Sequence, residues 1–67
     1  MNQKELEVAI LRSGKSKDDV IKESGISKKS FYAKLKGKVE FKRSEMMSLK
    51  DVLGLNDDDI IRIFFTD

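Results

Sequence analysis

The chain has 67 residues, 39% of them hydrophobic and 39% charged, with a formal net charge of +2, four Gly and no Cys, His or Pro. That length allows one domain near the lower limit for a core that folds unaided, and without Cys neither a disulfide frame nor a cysteine metal site can supply the missing stability. Lacking His and Cys, a phosphate-cradling Gly-rich loop and the length to enclose a pocket, the chain argues against an enzyme, and no cofactor, metal or small-molecule ligand is expected.

In chain order, the pattern predicts five helices and an all-α fold. The first covers residues 3–13, capped by Asn2 with Glu5 at the third helical position, and ends at Gly14. Leu6, Ala9 and Ile10 share one face, while Val8 and Leu11 lie off it, the pattern of a helix with two neighbours. A second helix opens at Ser16, with Asp19 completing a capping box, and buries Val20 and Ile21. Gly25 suits the left-handed residue of a sharp helix end, Ile26 plugs the corner and Ser27 caps a third helix over residues 28–36. On that helix Phe31 and Leu35 point one way. Lys29, Ala33 and Lys36 point the other way with Tyr32 beside them, and Lys34 reads as a surface residue.

After Gly37, Val39 and Phe41 are expected to pin the loop 38–43 to the core, with base stacking by Phe41 as the alternative. The fourth helix, 44–53, places Met46, Leu49 and Leu53 on one stripe. Gly54 stops it, and Asn56 with Asp59 makes a capping box for the fifth. Asp57, Asp58 and Asp59 suit the positive end of that helix, and their spacing is wrong for a calcium loop. Ile60, Ile63 and Phe64 form its inner face. Ile61 and Phe65 widen the stripe, either for internal packing or for a dimer contact. No signal peptide or membrane-spanning run is evident, so a soluble, cytoplasmic protein with no membrane partner is expected.

Charge is unevenly spread. Residues 12–43 hold eleven Lys or Arg against four acids, net +7, while residues 1–11 carry −1 and residues 44–67 carry −4. A basic middle implies a side that faces a polyanion, against the alternative of a merely solvated lysine-rich surface. Lys is able to donate to guanine O6 and N7, Ala to meet a thymine methyl, and the amides near Ser27 to hold a phosphate.

The run GISKKSFYAKLKGKVEF, followed by SEMMSLKDVLGL and a terminal FF, resembles the lambda/434 repressor and Cro-like helix-turn-helix family, in particular the small regulators of phages and prophages of Gram-positive bacteria. The resemblance spans residues 3–65 and departs from the family pattern in two places. Ile21 stands where a small Ala is usual, and Ser24 where an apolar residue is usual. It implies a five-helix DNA-binding domain whose helix 28–36 enters the major groove of double-stranded operator DNA. Lys17 would contact a phosphate; Ser27, Lys28, Lys29, Tyr32 and Ala33 would touch DNA or its bases; Lys36 and Lys38 would lie near the far backbone. If the five lysines 17, 28, 29, 36 and 38 all neutralised phosphates, the log–log dependence of affinity on salt would have a slope of about −4 to −5. Ile61 and Phe65 would serve a weak homodimer. The alternative function is a protein-binding modulator docking on a second phage repressor.

Overall fold

The structure, a computed structural model, describes residues 1–65, and among these every regular element is an α-helix and there is no strand. The helices are α1 (Gln3–Ser13), α2 (Lys17–Ser24), α3 (Lys28–Leu35), α4 (Arg43–Leu53) and α5 (Asp57–Phe64). Each boundary has a local cause. Asn2, Ser16, Ser27 and Asn56 accept a hydrogen bond from the amide three residues on, relieving an orphan donor at the first turn. In α4 the reciprocal half of the box is present instead: Glu45 accepts from the Lys42 amide at 2.7 Å, which moves the helix start back to Arg43. At the end of α3, Gly37 adopts φ 82°. The amides of Gly37 and Lys38 reach back to the carbonyls of Lys34 and Ala33, so α3 stops at Leu35 with Lys36 as its cap.

The helix corners contain a device that the periodicity does not announce. Ser-Gly-x-Ser occurs at 13–16 and again at 24–27. Ser13 donates to the Ile10 carbonyl at 2.5 Å and accepts from the Lys15 amide at 3.1 Å. Ser24 repeats this with the Ile21 carbonyl at 3.0 Å and the Ile26 amide at 3.4 Å. In both corners the glycine between them has a left-handed backbone and the second serine caps the next helix. Ser24 therefore satisfies backbone groups at the turn.

One core joins all five helices. Leu6 and Ile10 come from α1, Val20 and Ile21 from α2, Phe31 and Leu35 from α3, Leu49 and Leu53 from α4, and Ile60, Ile63 and Phe64 from α5. Ile26 closes the corner before α3. Three edge-on ring contacts, Tyr32 with Phe31, Phe31 with Phe41 and Phe41 with Phe64, run at 5.9, 6.2 and 5.5 Å from α3 through the loop to α5. The chain start is drawn in as well: the Asn2 amide donates to the Ile63 carbonyl at 2.7 Å.

Three expectations change here and one alternative falls. Phe41 anchors its loop, but its burial removes it from any stacking on a base. Val39 does not anchor: the turn at Gly37 leaves residues 37–40 on the surface, and the chain re-enters the core only at Phe41. Leu11 is 80% exposed, because α4 and α5 both pack on the side of α1 that carries Leu6 and Ile10. Lys34 is buried, not a surface residue, for the reason given below.

Candidate nucleic-acid interface

The residues singled out as contacts lie on the start of α2 and along α3. α3 is two-sided. Phe31, Lys34 and Leu35 are buried, Lys29 and Lys36 are exposed and Ala33 is half-buried. Lys29, Ala33 and Lys36 stand at i, i+4 and i+7, one stripe of a helix. Lys38, just past the end of α3, is also exposed. Among the described residues, Lys29, Lys36 and Lys38 have no ion-pair partner within 4 Å. No acidic residue lies between Glu23 and Glu40 in the sequence.

The other contact residues are engaged within the protein. Lys17, at the first position of α2, holds Glu7 of α1 with Nζ 3.0 Å from Oε1, both side chains about two-fifths exposed. Lys28, at the first position of α3, faces Asp18 of α2 at 3.6 Å, and both are widely exposed. Ser27 uses its oxygen to accept from the Ser30 amide at 3.3 Å. Tyr32 is half-buried, its ring edge-on to Phe31. Of the five lysines expected to reach phosphates, the structure thus leaves three unpaired and holds two against carboxylates.

Two further lysines of the basic middle serve the fold. Lys15 donates to Glu23 and to the Val52 carbonyl, both at 2.8 Å, tying the α1–α2 corner to the end of α4. Lys34 reaches both oxygens of Glu45 at 2.6 Å and joins α3 to the first turn of α4. Burial works to raise the Glu45 carboxyl. The hydrogen bond from Lys34, that from the Lys42 amide and the charges of both lysines outweigh it and hold the group below its usual 4.5. The sequence does carry a signal for this pair. Lys34 falls beside Phe31 on the helical wheel, about 60° from it and at the edge of the inward face, and an inward lysine needs a carboxylate.

A second exposed surface lies at the other end of the chain. Phe65 and Ile61 are 68% and 54% exposed, whereas Phe64 is buried. Two open hollows flank Phe65. One, of about 370 Å³, is bordered by Met1, Val39 and Met46; the other, of about 400 Å³, by Arg43, Met46 and Met47. The placement of Phe64 inside and Phe65 outside follows the helical stripe. Among the described residues no helix is long and apolar enough to cross a membrane.

Compared with protein-family models, with curated proteins and with solved structures, the chain finds no match in any of the three.

Proposed function

We propose that this protein is a sequence-specific DNA-binding transcriptional regulator of the Cro-like kind, in which α2 and α3 act as a helix-turn-helix and α3 enters the major groove of an operator. The observation that carries the reading is the charge at the start of α3. The positive end of a helix dipole favours acids, and α1, α2, α4 and α5 each have one or more in the first turn. α3 has none and carries Lys28 and Lys29 there instead. A chain that follows a stabilising rule in four helices and breaks it in one has a use for the exception. Cations beside exposed amides at a helix start suit a polyanion, and the Lys29–Ala33–Lys36 stripe gives a narrow side free of acids to lie in a groove.

In this reading Lys29 reads a base, Ala33 meets a thymine methyl, and Lys17, Lys28, Lys36 and Lys38 hold phosphates. Ser27 presents the amides of the first turn, and Tyr32 lies beside the stripe. Occupying the operator excludes polymerase. The test compares operator and random duplex DNA for two variants. Lys29→Ala is expected to lose about 1–3 kcal/mol of discrimination at one or two base pairs. Lys38→Ala is expected to weaken both duplexes alike. Equal losses from the two substitutions on both DNAs would remove the base-reading role.

The exposed Ile61 and Phe65 with Met1, Val39 and Met47 favour a second reading, a protein-binding modulator docked on another phage repressor. Gel shifts on the chain's own promoter region, set beside capture of the neighbouring repressor, separate the two.

A further inference from the structure

The two ion pairs at the starts of α2 and α3 join elements in the same way. In each, the lysine at the first helical position takes a carboxylate from the preceding helix: Lys17 from Glu7 of α1, Lys28 from Asp18 of α2. A cation at a helix start is repelled by the dipole, so each carboxylate occupies the place that an anion would fill. Both pairs are exposed enough to exchange. Exposed ion pairs are weak, and a phosphate arriving at the same ammonium group competes with the carboxylate on similar terms.

From this we infer that Glu7 and Asp18 are affinity-limiting residues. They stand in for DNA phosphates in the free protein and must be displaced when DNA binds. The inference rests on the DNA-binding reading and specifies how that site is regulated. A lysine that leaves a carboxylate for a phosphate frees the cation condensed there but exposes an anion that draws cations back, so net ion release is smaller and the free protein presents less positive charge than its lysine count suggests. Lys29, Lys36 and Lys38 then carry most of the sequence-independent attraction, and the domain keeps a weak hold on DNA that offers it no base contacts.

The experiment titrates a random-sequence DNA duplex over a range of salt with the parent, Glu7→Gln, Asp18→Asn and, as a charge control, Asp58→Asn, an exposed α5 carboxylate that has no ion-pair partner among the described residues. Glu7→Gln and Asp18→Asn are each expected to bind about two- to fivefold more tightly, the scale of one exposed ion pair. The salt slope should steepen by up to roughly 0.9 for each lysine released. Melting curves for each variant accompany the titrations. Glu7→Gln placed in a Lys17→Ala background should lose its effect, since its action runs through that lysine. The inference is overturned if either carboxylate variant keeps the parent's affinity and slope or gains no more than Asp58→Asn does, or if Glu7→Gln keeps its gain without Lys17. A parent that binds no duplex at any salt overturns the DNA-binding reading itself, and this inference with it.

Discussion

Lys34 and Lys36 are two positions apart on α3 and do opposite things. Lys36 is exposed at the helix end, while Lys34 has its ammonium group closed in against Glu45, the two side chains 9% and 18% exposed. Removing one partner of such a pair strands the other. Lys34→Ala is therefore expected to cost about 2 kcal/mol, roughly half what a fully buried pair would lose. Lys34→Met, which keeps the apolar stem, should cost less, and Lys36→Ala should fall within about 0.5 kcal/mol of the parent. Urea unfolding of the three variants measures this order. The same pair gives the fold a dependence on acid. Glu45 titrates below its ordinary 4.5 in the folded protein, so its contribution is complete above that value and is lost as pH falls through the lower, folded one. Asp57, held down by Lys50, and Asp59, held down by the Asn56 amide and Arg62, act in the same direction. The urea midpoint should be flat above pH 4.5 as far as these groups are concerned and should drop below it. Lys34→Met should drop less steeply, and a midpoint whose acid response is unchanged by that substitution would deny Glu45 its part.

At the scale of elements, α1 to α4 end at or beside a glycine and all but α4 start at a small polar residue, and the corner between α2 and α3 combines both. Gly25 has φ 75°, and a Cβ built on it meets nothing within 4 Å, so substitution there is opposed by backbone conformation and not by crowding. Gly25→Ala should cost about 1–2 kcal/mol. Ser27→Ala should cost about 1 kcal/mol through the lost cap. In α5 the contrast lies between neighbours. Phe64 packs edge-on to Phe41 inside the core, so Phe64→Ala should lose about 3–5 kcal/mol and threaten the folding of so small a domain. Phe65, one residue on, caps the helix with two-thirds of its surface open, and Phe65→Ala should leave the melting temperature close to the parent's. If Phe65 serves a homodimer, the same variant should bind an operator with reduced cooperativity. Melting and operator titration of both variants check this, and a Phe65→Ala protein as cooperative as its parent would end the dimer proposal.

Across the whole molecule, seven of the eleven lysines divide by task. Lys15 and Lys34 brace helices, Lys17 and Lys28 are held by carboxylates, and Lys29, Lys36 and Lys38 are left to act outward. If DNA is the ligand, the salt dependence of its binding follows from that division. On random-sequence DNA, where Lys29 has no base to read and is left to the backbone, three free lysines correspond to a log–log slope of about −3 for the parent, shallower than the −4 to −5 of five. The double variant Glu7→Gln with Asp18→Asn should recover the steeper value. A parent slope near zero would remove DNA as the main ligand.

Helix number, the caps at Asn2, Ser16, Ser27 and Asn56, and the apolar inward sides of α2, α3 and α5 were legible in the sequence, because each depends on neighbours within one or two turns of the chain. The stripe of Lys29, Ala33 and Lys36 was legible for the same reason. Partnership across elements was not. Lys34 and Glu45 are eleven residues apart, Lys17 and Glu7 ten, and Lys15 and Val52 thirty-seven. A count of charges cannot tell an ammonium group facing water from one facing a carboxylate on another helix. Leu11 and Val39 were misplaced likewise, since hydrophobicity marks what would gain from burial, and only the arrangement of the other helices decides which apolar side chains find cover.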